Sequence, residues 1–311
     1  MDIAVVNLNP CIDMQLTAPR FVYGGLNRVQ AAGRYAAGKG INVAVALKNM
    51  GTTPLCTGFN YQENGELITD ALDKGGVNHD FITVEGAVRT NIKLYDTATD
   101  TMTELNQPGT YVSEEAVSQF HEKIKTIGGW CDNSMLVLSG SMPAGVPADI
   151  YRQLCKDWPG RVILDAEGEA LLLALKGDNP PFCIKPNLFE LESSFGVTLA
   201  TKEDIAAFCR ELIKTYGVEM VCVSMGADGA VLVSESAFYS PALDLRVRGV
   251  QGAGDAMVAG LCYGLLHCAA EGELLQMAQA AAAASVVREG TLMCTKDGFL
   301  QYLQEITVSK L

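Results

Sequence analysis

Short apolar runs alternate with helix-patterned segments along almost the whole chain. The runs at residues 2–8, 54–59, 81–84, 135–138, 162–165, 182–185 and 218–224 are bounded by turn residues and read as strands. Segments 41–50, 65–74, 113–127, 147–157, 167–175 and 274–287 are patterned for helices between them. Such alternation predicts an α/β fold with a mainly parallel sheet. Repeats, low-complexity tails and composition shifts are absent from the sequence, so residues 1–311 are expected to form a single domain.

Two segments break the alternation. Residues 14–34 are polar and carry Gly24-Gly25; they suit a short hairpin. Residues 89–95 alternate with period two, which places Arg89, Asn91 and Lys93 on one face, and residues 102–105 can complete a hairpin with them. Together, segments near 14–34 and 88–108 are expected to build a small β lid.

The strongest chemical signal is Gly252-Ala253-Gly254-Asp255, set just before an apolar run of small residues at 256–266. A glycine turn entering a helix leaves backbone N–H groups unpaired, and with the helix dipole they favour an anion. A carboxylate there suits a general base acting on a hydroxyl, with the turn stabilising developing charge. Phosphoryl transfer needs both parts. An aspartate after glycine is also a common helix cap, so the turn alone does not decide. A dinucleotide fingerprint fits poorly, since its third glycine would fall at Met257.

Further candidates lie at strand ends and turns. Asp13 follows the first strand, in the loop at its carboxyl end, where ligands of open parallel sheets bind. Residues 37–47 form a second glycine turn into a helix, with Gly38, Lys39 and Asn42 facing a ligand. Gly33 to Lys39 matches a P-loop only superficially, because Gly40 stands where serine or threonine is required. Asn187 and Glu190 share a helix face and could hold water around Mg²⁺, or simply cap the helix. Residues 225–229 make a tight turn that could lie against a nucleotide or simply close a hairpin.

Net charge is −13, which argues against nucleic acid and anionic membranes as partners. A polyanionic ligand must therefore meet local positive groups, among which Arg28, Arg89 and Lys93 are available. Ten cysteines are scattered without a Cys-x-x-Cys pair, which leaves no zinc or redox motif. With no signal peptide legible, a reducing cytoplasm is expected. No apolar stretch is long enough for a transmembrane helix.

Eight stretches in order resemble the PfkB (ribokinase-like) sugar kinase family, nearest its 1-phosphofructokinase and tagatose-6-phosphate kinase branch. They are 9–13, 25–28, 38–44, 89–93, 138–143, 185–190, 224–229 and 252–255. The resemblance implies a three-layer α/β/α sandwich, a β lid that pairs subunits as a homodimer, ATP as donor and Mg²⁺ as helper. A monovalent cation is a further expectation. It implies Asp255 as base and Gly252, Ala253 and Gly254 as anion hole. Asp13, Gly38, Lys39, Asn42 and Asn91 would hold the sugar, and Arg28, Arg89 and Lys93 its phosphate. Lys185, Asn187, Ser224, Gly226 and Gly229 would line the nucleotide, and Asn187 and Glu190 would organise Mg²⁺ through water. The implied reaction is phosphorylation of fructose 1-phosphate at its C6 hydroxyl, with tagatose 6-phosphate and fructose 6-phosphate as alternative substrates. A silent sugar-phosphate-binding regulator is the reading from another class. Arg248-Gly249-Val250-Gln251 and Ala256 depart from the family's wording.

Overall fold

The computed structural model describes residues 2–129 and 134–311, so Cys131 lies outside the described residues. The chain opens with β1 (Ile3–Asn7), β2 (Cys11–Ala18), β3 (Gln30–Ala37), α1 (Lys39–Met50), β4 (Leu55–Glu63), α2 (Glu66–Lys74) and β5 (Asn78–Ala87). It continues with β6 (Arg89–Asp96), β7 (Thr101–Leu105), α3 (Glu114–Gly128), β8 (Met135–Ser139), α4 (Ile150–Asp157), β9 (Arg161–Asp165) and α5 (Gly168–Leu175). Then come β10 (Cys183–Ile184), α6 (Leu188–Phe195), α7 (Lys202–Tyr216), β11 (Met220–Ser224), β12 (Ala230–Val233) and β13 (Ala237–Ser240). The last elements are α8 (Ala253–Leu266), α9 (Glu271–Val286), α10 (Lys296–Glu305) and β14 (Ser309–Lys310).

Ten strands form one sheet in the order β14-β13-β12-β11-β10-β9-β8-β1-β4-β5. Pairing is parallel from β11 to β5 and antiparallel from β11 out to β14. The parallel strands are apolar because helices cover both faces. Val5, Val6, Leu136, Ile163 and Val221 are accordingly buried. On one side α8 packs against α1 and α9, and α9 against α10. Helices α3, α4, α5 and α6 pack in sequence as a separate set.

From β1 the chain moves to β4 and β5 on one side, then returns to β8 on the other. This makes a topological switch beside β1, and a crevice outside the carboxyl ends of the strands is the place where such sheets bind ligands. Asn7, Ser139, Asp165, Lys185 and Ser224 all stand at those ends.

The second sheet has the order β3-β2-β6-β7 and forms the small β lid. Strands β2 and β6 run parallel, with Asp13 opposite Asn91 and Gln15 opposite Lys93. Asp13 is thus a strand residue of the lid; the expected loop placement is corrected. The turn at Asn9-Pro10 only redirects the chain, and Cys11 immediately pairs with Arg89 of β6 and Ala37 of β3.

Strand β5 is longer than residues 81–84 suggest, because its pairing with β4 runs along its length. Helices α7 and α10 and strands β13 and β14 add to the elements that the sequence pattern marks. Among the described residues, no helix is long and apolar enough to cross a membrane.

Candidate active site

Helix α8 begins at Gly252, whose φ of 79° places it in the left-handed region open to glycine. Gly252 is the N-cap residue and supplies no side-chain hydrogen bond. Asp255 is therefore not the helix cap; it sits one residue inside Gly254, in the first turn. Its carboxylate is buried at 6 % exposure, and Oδ2 accepts a hydrogen bond of 2.8 Å from Nδ2 of Asn42 on α1. Burial, reinforced by the Asp165 carboxylate, pushes its pKa up to about 6, against the opposing pull of Lys39, Asn42 and Lys185. A carboxylate held there is a stronger base than an exposed one, yet stays ionised at neutral pH.

Asp165 closes β9 at 1 % exposure. Lys185 Nζ lies 3.2 Å from its Oδ1 and Lys39 Nζ 3.4 Å from its Oδ2, while Ser139 donates to Oδ2 at 3.2 Å. Burial alone would raise this carboxyl, but Lys185 and Lys39 outweigh it and hold it below the usual range. Lys39 is correspondingly raised, by Asp165 first and despite its own burial. Sequence reasoning missed Asp165. The available signal was its place at the end of a buried strand.

The lid supplies the opposite wall. Lys93 Nζ and Asp13 Oδ2 form a buried ion pair at 2.7 Å. Asn91 Nδ2 donates to Asp13 Oδ1 at 3.4 Å. Arg89 donates to the carbonyls of Gln107 and Asn9 at 2.9 and 3.1 Å. The buried atoms Arg89 Nε, Asn91 Oδ1 and Asn9 Oδ1 have no protein partner. All three residues line a side cavity of about 440 Å³ beside Ser141 and Asp165. Orphaned donors and acceptors of this kind are costly unless a ligand or water completes them.

Beyond β10, the Asn187 side chain accepts from the Glu190 N–H while Glu190 Oε2 accepts from the Asn187 N–H, both at 2.8 Å. This is a capping box on α6. Glu190 Oε1 keeps free capacity 3.9 Å from Lys39 Nζ. Among the described residues no cluster of three metal-ligating side chains exists. The single free carboxylate oxygen of Glu190 is compatible with an ion that retains most of its water. Asn187 bridges to Ser224, and the Met225 N–H donates to the Gly229 carbonyl at 2.8 Å, closing the 225–229 turn.

One cavity of about 1240 Å³ is lined by Asp13, Gly38, Lys39, Asn42, Arg89, Asn91 and Lys93 on the lid side and by Gly252, Ala253, Gly254 and Asp255 at the helix start. Its far wall carries Lys185, Asn187, Glu190, Ser224, Gly226 and Gly229. Arg28 alone among the expected site residues does not line it. It is exposed on the segment between β2 and β3, whose neighbours Tyr23 and Leu26 are also exposed.

Residues 2–297 match the pfkB family carbohydrate kinases. The chain belongs to that family. It is 33 % identical to the 1-phosphofructokinase of Bacillus subtilis, over 99 % of this chain and 100 % of that protein. With the 1-phosphofructokinase of Rhodobacter capsulatus it shares 37 % identity, over 93 % of this chain and 90 % of that one. The crystal structure of phosphofructokinase-2 from Escherichia coli in complex with potassium superposes with a TM-score of 0.91, at 26 % identity and 98 % coverage of both chains. The pfkB kinase fold, ribokinase-like with a β lid, is thus the architecture described above. Membership makes this chain a sugar-phosphate kinase of the phosphofructokinase type, and implies a nucleotide donor and a divalent ion for the cavity between lid and sheet.

Proposed function

We propose that the protein transfers the terminal phosphoryl group of ATP to the C6 hydroxyl of fructose 1-phosphate, giving fructose 1,6-bisphosphate, ADP and a proton. The observation that carries this reading is the buried Asp255 at the start of α8, sharing one cavity with a basic lid and a turn suited to a nucleotide. The substrate itself is chosen because the relatives aligned over nearly the full chain are named 1-phosphofructokinase.

Asp255 takes the proton of the attacking hydroxyl. The N-terminus of α8 at Gly252–Gly254 offsets the negative charge that builds on the moving phosphoryl group. Lys185 neutralises the donor's phosphates. Asp13, oriented by Lys93 and Asn91, holds sugar hydroxyls together with Gly38, Lys39 and Asn42. Arg89, whose Nε has no protein partner, receives the phosphate the sugar already carries, through charge-assisted hydrogen bonds. A bound Mg²⁺, held through water at Glu190 and Asn187, would screen the phosphate charge.

Three further properties belong to the same reading. The chain pairs with a second copy through the lid, where Phe21, Val22, Tyr23, Leu26, Met102 and Leu105 are exposed apolar groups; pairing would also bring Arg28 out of open solvent. A monovalent cation assists, as the potassium complex of the Escherichia coli enzyme motivates. The protein works in the cytoplasm, where its free cysteines stay reduced.

ADP release measured over fructose 1-phosphate, fructose 6-phosphate and tagatose 6-phosphate tests the substrate. Fructose 1-phosphate is expected to give the highest kcat/KM, and a better showing by either 6-phosphate overturns that choice. Asp255→Asn should lower kcat by roughly 10²–10⁴ with ATP binding retained. ATP binding without ADP formation across the panel would instead mark a silent regulator.

A further inference from the structure

Two carboxylates, Asp165 and Asp255, and two ammoniums, Lys39 and Lys185, line the cavity together, and their pairing is uneven. Both lysines are within 3.4 Å of Asp165, whereas among the described residues no ion pair within 4.0 Å reaches Asp255. Asp255 takes its hydrogen bond from neutral Asn42 instead. Lys185 Nζ stands only 3.5 Å from where a Cβ on Gly254 would lie, so it is already beside the turn that precedes Asp255. Lys39 opens α1, the helix that also carries Asn42. Either ammonium thus lies close enough to feel the Asp255 charge, and both lower its pKa.

We propose that Asp165 is a positioning residue: it collects the Lys39 and Lys185 ammoniums at the floor of the cavity and so keeps the Asp255 carboxylate open to a substrate hydroxyl. The inference rests on the reading of Asp255 as the base and deepens it. An ammonium in direct contact would occupy the carboxylate oxygens and weaken the base. It would also withdraw positive charge from the donor's phosphates, where it serves the transfer. Asp165 prevents both, and Ser139 fixes its orientation from β8. The charged groups facing Asp255 are Lys39 from α1, Asp165 from β9 and Lys185 beyond β10. Glu190 and Glu192 on α6, Asp244 after β13, and the Cys11, Asp13, Arg89, Lys93 and Glu104 groups of the lid line the same cavity. Helix α9, packed along α8, brings Gln279, Ala282, Ala283 and Val286 to that wall and no charge.

The test compares wild type with Asp165→Asn, Asp165→Glu, Lys39→Met and Asp165→Asn/Lys39→Met in the full chain. Two readouts are taken: the ¹³C titration of the Asp255 carboxyl, which needs no turnover, and kcat against pH with fructose 1-phosphate and ATP. In Asp165→Asn the freed lysines should close on Asp255. Its titration and the acid limb of kcat should then move to lower pH by about one unit or more, and kcat at pH 7.5 should fall about tenfold or more. Asp165→Glu should recover much of both. Lys39→Met should shift Asp255 more in the Asp165→Asn background than in wild type, because only there is that ammonium released.

An Asp255 titration unchanged in Asp165→Asn overturns the proposal. So does equal action of Lys39→Met in both backgrounds, which would leave only the direct charge of Asp165. A shift confined to the Mg²⁺ activation curve would assign Asp165 to the metal instead, again overturning it. If Asp165→Asn alone fails to fold, Asp165→Ser replaces it in both backgrounds, and a larger effect of Lys39→Met on the Asp255 titration there than in wild type remains the deciding result. A wild type that phosphorylates no sugar refutes the functional reading separately, while the carboxyl titrations still decide this inference.

Discussion

Asn42 Nδ2 donates to Asp255 Oδ2 at 2.8 Å, across 213 residues of sequence. This bond ties the start of α1 to the start of α8 and favours the ionised form of the Asp255 carboxyl. Asn42→Ala removes it, so the Asp255 pKa should rise beyond about 6. The acid limb of kcat should move to higher pH, with the largest loss of activity below pH 7. A pH–rate profile checks the direction, and a limb displaced toward acid would contradict it.

Asp255 also carries a stability cost. Its folded pKa of about 6 lies above the ordinary 3.8, so the folded state binds the proton more tightly. The sign follows: stability gained by protonation is present at low pH and lost as pH rises through about 6. Two units correspond to roughly 3 kcal/mol as an upper bound. Asp255→Asn should therefore resist urea better than wild type at pH 8, and the gap should narrow toward pH 4. Inactivity together with greater stability is the expected signature of a strained functional residue.

The Lys93–Asp13 pair is buried on both sides. Lys93→Met leaves an unpaired carboxylate inside the lid and should cost about 3–5 kcal/mol. Asp13→Asn/Lys93→Met should recover most of that stability, because no charge is stranded. Both variants should raise KM for the sugar phosphate. Urea midpoints and initial rates separate packing from binding.

Gly229 has φ 92°, and a Cβ there would collide with the backbone oxygen of Ser240. Gly229→Ala should distort the turn, lower stability by at least about 1 kcal/mol and raise KM for ATP. Gly226, at φ 60°, has open space around its Cβ position, so Gly226→Ala should cost only the backbone strain of about 1–2 kcal/mol. Thermal melts with an ATP titration distinguish the pair.

The parallel sheet was legible because buried strands such as residues 2–8 are continuous apolar runs. The Gly252–Asp255 turn was legible because a helix start needs little context. Asn9-Pro10 reads as a stop and puts Asp13 in a loop; only pairing with β6 makes it a strand residue. Asp165 was overlooked because an aspartate ending an apolar run is ordinary until two distant lysines converge on it. Helix α7 escaped although Thr201 and Asp204 form its capping box and Gly217 its left-handed stop. Strands β13 and β14 span only four and two residues, too short to show a period.

The route of the chain through the sheet also bears on when the protein can first work. Lid and α1 emerge early, but Asp255 arrives on α8, after nearly every strand has been laid down. With Asp255 as the proposed base, most of the polypeptide must leave the ribosome before an acceptor alcohol could be activated, and a shorter nascent fragment would stay chemically idle.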